Sequence, residues 1–191
     1  MGKLRFFLLL SSLLLIQSGG LLAQDRSNRG KEFWLCYGYN WGFDNEFPVN
    51  AQELAIYIST EQAATVTVSV FGTTWSRTLN IPANTVDASV LIPKSGVDDA
   101  RILTDGVSSK GIRISSDVPV AVYAHQYNTM LSGATMLMPV ETLGYSYYSI
   151  NYSQATSNSQ LPAISPTTGN GPNWYSWFAI VATDDGTRVQ I

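Results

Sequence analysis

The chain has 191 residues, 45% of them hydrophobic and 13% charged, with 11 basic and 14 acidic side chains and a net charge of −3. That balance leaves no basic footprint for nucleic acid or an anionic membrane, and a single cysteine, Cys36, excludes a fold stapled by its own disulfides. Stability must come from a hydrophobic core, for which this length suffices in one or two domains.

The first residues read as a secretory signal peptide. Lys3 and Arg5 form a short basic start, residues 6–16 are an apolar run broken by two serines, and Gly19, Gly20 and Ala23 supply small residues for a cut after Ala23. The run is short for a membrane span, which needs roughly 20 apolar residues. No cysteine follows the cut to carry a lipid anchor, so the expectation is a secreted or cell-surface protein with no membrane span after cleavage. Loss of Lys3 and Arg5 lowers the basic count from 11 to 9 against 14 acidic residues, a net charge of −5.

Next comes the stretch GKEFWLCYGYNWGFDNEF, with seven aromatics from Phe33 to Phe47. One parity reads Phe33, Leu35, Tyr37, Tyr39, the other Trp34, Cys36, Gly38, Asn40. Because strand side chains alternate between faces, Phe33, Leu35 and Tyr37 are predicted core residues. After Tyr39 the turn formers accumulate, and Trp41, Phe43 and Phe47 are placed on a loop as candidate ligand contacts, together with Trp75.

Short β-type runs follow, with Gly, Pro, Asn and Asp at the joints: LAIYIST, ATVTVSVFG, WSRTLNIP, TVDASVLIP, GIRISSD, VPVAVYAHQY, YSYYSINYS, NWYSWFAIVAT and TRVQI. This spacing predicts an all-β antiparallel sandwich with little helix. Within it, Asp117 separates two runs, and Pro119, which cannot donate to a ladder, belongs at a strand start or an edge. Residues 154–173 are a polar, Pro- and Gly-bearing connection, too long for a hairpin turn. AIYISTEQAATVTV and AIVATDDGTRVQI share an order of strand, polar turn and strand, so residues 177–191 are predicted to be a hairpin opening a second β unit after a first domain at 24–176, the chain ending inside that unit. The competing arrangement makes TRVQI the last strand of the first sandwich.

Residues for catalysis are sparse. His125 is the one histidine, and Cys36, lying inside a β run, reads as an inert thiol rather than a nucleophile. Adjacent carboxylates at Asp98–Asp99 and Asp184–Asp185 point to opposite faces if extended, and TDDGT reads as a turn whose Gly186 supplies positive φ. No catalytic residue, metal ligand or cofactor site is predicted.

Several pieces in order, GKEFWLCYGYN, LAIYISTEQAATVTVSV, GIRISSDVPVAVYAH, MLMPVETLGYSYYSINY and WFAIVATDDGTRVQI, resemble the N-terminal domain of the IgGFc-binding protein family. The matching residues are Gly30, Phe33 and Trp34; Ser116, Asp117, Pro119 and Tyr123; Pro139, Leu143, Gly144 and Tyr148; and Ala182, Asp185, Thr187 and Val189. Met138 stands where the family often has leucine. The resemblance implies a C-terminally truncated member of a group found in large secreted or surface proteins, often of Bacteroidetes-type bacteria. The shared residues are of structural types, so no binding residue carries over. The leading functional expectation is a non-catalytic extracellular adhesion or protein-binding module. The alternatives are a carbohydrate-binding module using exposed aromatics and, third, an enzyme of unrecognised type. The partner is then a protein or a glycan.

Overall fold

The computed structural model describes residues 27–38, 52–129, 132–150 and 178–191. The predicted signal peptide and the 154–173 connection lie outside them. Among the described residues seven strands run in order: β1 (Arg29–Leu35), β2 (Glu53–Thr60), β3 (Ala64–Val70), β4 (Ser76–Ile81), β5 (Thr85–Leu91), β6 (Ile112–Tyr127) and β7 (Ser132–Met136). Two short 3₁₀ turns, Gly96–Asp98 and Val140–Thr142, are the only helical elements among the described residues.

The strands form one sheet in the hydrogen-bonded order β4-β3-β6-β2-β5, with β1 and β7 also joined to β6, and every strand pair is antiparallel. The 16-residue β6 organises it by serving two sets of neighbours. Ile112 lies between Leu35 of β1 and Val70 of β3, whereas Tyr123 lies between Tyr57 of β2 and Met136 of β7. β2 and β3 are consecutive yet pair with different halves of β6, so the chain turns a corner between Thr60 and Ala64.

That corner explains the two residues that look like strand breakers. Between Gly30 and Glu32 the β1–β6 register slips, leaving residues 116–119 without partners on β1. Asp117 uses the gap: its Oδ1 accepts the backbone N–H of Thr65 at 2.8 Å, closing the start of β3. Pro119 stands in the same gap, where its missing N–H breaks no β1 or β3 pair. GIRISSD and VPVAVYAHQY are therefore one strand rather than two, and Pro119 is neither at a strand start nor on an outer edge.

Alternation holds through the bend. Ile112, Ile114, Val120 and Val122 are fully buried, while Arg113 and Tyr123 face outward. They meet Phe33, Leu54, Ile56, Ile58, Val66 and Val68 in one core cluster, with Tyr37 at its margin. Each such aliphatic side chain contributes about 1.5–3 kcal/mol by leaving water. The predicted core positions Phe33, Leu35 and Tyr37 are all buried. Tyr37 donates its hydroxyl to the Ala55 carbonyl at 2.9 Å, and burial pushes its phenol above the usual tyrosine range.

The all-β antiparallel expectation holds, as one open sheet; hydrogen bonding does not divide it into the two separate sheets expected of a sandwich. Three predicted runs show no strand over their described residues: 145–150 of YSYYSINYS have no strand pairing, and 178–191, which hold the end of NWYSWFAIVAT and TRVQI, form a turn at 183–186 without a ladder on either side. Within that turn Gly186 has φ 74° and Thr187 Oγ1 donates to the Asp184 carbonyl at 2.7 Å, the role read for TDDGT.

Candidate functional site

After β7 the chain is first pinned and then released. Leu137 is buried and donates its N–H to the Val122 carbonyl at 2.9 Å. Pro139 packs on Gly30 so closely that a Cβ added there would lie 2.2 Å from Pro139 Cβ. Only glycine admits this approach, which explains why Gly30 opens the β1 motif. The Pro139 carbonyl then accepts both the N–H and the hydroxyl of Thr142, at 2.9 and 2.7 Å, closing the second 3₁₀ turn.

Beyond this base the side chains lose their cover. Tyr145 is 108% exposed, Tyr148 95% and Ile150 91%, with Leu143 and Tyr147 also exposed. The Tyr147 hydroxyl accepts the Gly144 N–H at 2.9 Å, a local bond that shapes the strip. Residues 143–150 carry no charge and interleave Tyr with Ser and Gly. Tyrosine offers a large amphipathic contact at low entropic cost, and serine and glycine supply adaptable hydrogen bonds, the composition favoured in protein-recognition loops. Buried in a complex, each ring removes on the order of 150–250 Å² from water.

A second surface lies on the outer side of β1, β3 and the first half of β6. Trp34 Nε1–H and Arg113 Nε–H both donate to Glu32 Oε1, at 2.9 and 3.0 Å. The Arg113 and Trp34 hydrogen bonds hold the Glu32 carboxyl below its ordinary value. Arg113 lies 5.9 Å from the Trp34 ring centre, Phe71 meets Trp34 edge-on at 6.4 Å, and the indole lies over Gly111. This floor, the 102–109 loop and the 178–191 tail border a broad open groove of about 1940 Å³.

A third surface is a row of rings on the outer face of β2 and the second half of β6. His125 stands 5.8 Å from Tyr57 and 4.7 Å from Tyr127, and its Nε2 is 2.7 Å from Ser132 Oγ. A Ser–His pair of this geometry needs a carboxylate to orient the imidazole before it resembles a nucleophile–base couple. Glu53, opposite Tyr127 in the register, is instead held by Lys94 at 2.8 Å. Cys36 is half-buried immediately after β1, and burial raises its thiol pKa, which disfavours the reactive thiolate. Among the described residues no cluster of three or more His, Cys, Asp or Glu is placed to hold a metal ion.

Of the four aromatics predicted as ligand contacts, Trp41, Phe43 and Phe47 lie outside the described residues. Trp75 is half-buried, packed against the core, with Arg77 5.7 Å from its ring centre. Sequence reasoning missed the exposed strip because its apolar spacing imitates a strand, and missed β7 because SGATM lacks the β-branched alternation of the other strands.

Residues 133–191 match the model of a family described as IgGFc binding protein. The resemblance read from the sequence thus stands over the C-terminal part of the chain, and both β7 from Gly133 onward and the exposed strip fall inside it. No curated protein matches the chain. A solved structure, the crystal structure of Thermotoga maritima 1070, is similar at 14% identity over 60% of this chain and 98% of its own, with a TM-score of 0.35, a likeness too slight to bear on fold or function.

Proposed function

We propose that the chain is a non-catalytic extracellular module that binds a protein through residues 143–150. The observation that supports this most strongly is the near-complete exposure of Tyr145, Tyr148 and Ile150 inside the segment matching the IgGFc-binding family. Exposed apolar patches of a few hundred Å² mark interaction sites. The basic start, apolar run and Ala23, read as a signal peptide, support the extracellular setting. Residues 24–176 are taken as the binding unit and 177–191 as the start of a second.

The family's name makes IgG Fc the first probe. Purified chain is passed over immobilised Fc beside a Tyr145→Ser/Tyr148→Ser variant, with a glycan array run in parallel. The reading expects saturable Fc binding that weakens at least tenfold in the variant. Equal binding by both proteins would remove the strip from the interface, and glycan binding without protein binding would favour a carbohydrate module.

A further inference from the structure

We propose that the free edge of β7 is a self-association surface, on which a second copy of the chain pairs its own β7, antiparallel, about a two-fold axis at Ala134. Among the described residues the ladder of β7 runs to β6 alone, with the Asn28 Nδ2–H reaching Met136 Sδ at 3.0 Å, and all five of its residues are exposed. The direction of its backbone groups follows from the ladder. Leu137 N–H donates to Val122, and hydrogen-bonded pairs alternate along an antiparallel ladder. Thr135 and Gly133, opposite Ala124 and Gln126, therefore direct their backbone groups to β6. Ser132, Ala134 and Met136 direct theirs to the open edge.

Sequence chemistry singles out this edge. Strands at sheet margins are ordinarily blocked by charge, proline or a covering element. β1, β4 and β5 each contain at least one charged residue, whereas β7 has neither charge nor proline. A Cβ built at Gly133 would meet nothing within 4 Å, so no side chain roofs the strand there.

The edge is also complementary to itself. Pairing about Ala134 sets Ala134 against its symmetry mate and Ser132 against Met136 on both sides, so every outward backbone group meets another. No like charges are opposed, and each Met136, itself 45% exposed, falls opposite a small Ser132. The outer rows of Tyr123, His125 and Tyr127 then flank a four-strand seam built from both copies. A five-residue seam falls short of the roughly 1,200 Å² typical of stable interfaces, so the dimer is weak and concentration-dependent.

Sedimentation velocity of the purified chain over two decades of concentration tests this. The wild type is expected to shift from monomer to dimer. Ala134→Pro removes an edge-facing N–H without touching the β6 ladder, and is expected to weaken the dimer at least tenfold with a near-wild-type melting curve. Ala134→Lys opposes two like charges at the axis, and is expected to weaken the dimer at low salt and recover part of it at high salt. A wild type that stays monomeric throughout, or a dimer indifferent to both substitutions, overturns the proposal.

Discussion

The β1–β6 region and the C-terminal segment from residue 132 onward are both rich in apolar and aromatic side chains, yet they use them oppositely. In the first, nearly every alternate position is covered: Phe33, Leu54, Ile56, Val66, Ile114 and Val122 are fully buried. In the second, Leu137 and Pro139 are buried, while Tyr145, Tyr148, Ile150 and Ile191 stand more than 90% exposed. The difference lies in what each segment can pair with. β6 offers two edges over its whole length and draws in β1, β2, β3 and β7, so alternating sequences beside it acquire a buried face. Residues 143–150 leave the sheet after the Pro139 turn, and among the described residues the same alternation meets no surface to bury against. Apolar patterning marks a core only where a partner strand is at hand.

The sharpest break of the comparison is within the covered region. Val120→Asp places a charge among fully buried aliphatics and should unfold the domain, at a cost of several kcal/mol. A wild-type melting temperature for this variant would dissolve the distinction. Next in size is the Asp99–Arg101 pair, whose side chains are 13% and 8% exposed and bridge at 2.8 Å. Burial alone would raise the Asp99 carboxyl, but the hydrogen bonds and charge of Arg101 carry it below the ordinary aspartate value. Asp99→Ala leaves the guanidinium buried without this carboxylate and should cost about 3 kcal/mol, read by urea denaturation. Because the folded pKa is depressed, the pair's stabilisation is complete above the unfolded value of about 3.9 and is lost as pH falls through the lower folded value. Acid titration of the wild type should show this extra destabilisation in that window, and Asp99→Ala should lack it.

A smaller effect is expected where the two regions meet. Gly30→Ala would drive a Cβ into Pro139 and should cost about 1–3 kcal/mol, since a closely packed site must shift to admit it. The loss should be accompanied by faster amide exchange at Thr142 and Leu143, whose N–H groups depend on the Pro139 turn. Unchanged exchange there would show that the strip is not anchored through Gly30.

Much of the sheet was legible because its strands carry two independent signals, alternation and β-branched composition. LAIYIST and ATVTVSV became β2 and β3 nearly residue for residue. β6 was read as two strands because Asp117 and Pro119 are local terminators; their roles, an acceptor for Thr65 and a tolerated gap in the β1 register, exist only once β1 and β3 are in place. The strip at 143–150 was misread for the complementary reason: its alternation is real, but no sequence pattern states whether a neighbour will cover it. Three candidate contacts, Trp41, Phe43 and Phe47, come from the densest aromatic cluster and lie outside the described residues, while Trp75, apart from that cluster, packs on the core. Ser132 and His125, seven residues apart, gave no signal before the β6–β7 register brought Oγ and Nε2 to 2.7 Å.

The account's central claim is that residues 143–150 serve binding and not folding. Its most direct test is the thermal melt of a Tyr145→Ser/Tyr147→Ser/Tyr148→Ser variant beside the wild type, with Fc binding measured on the same samples. Exposed substitutions of this kind change stability within about 0.5 kcal/mol each, so the account predicts overlapping melts and lost binding. A variant that melts many degrees lower, or keeps its full affinity, would contradict it.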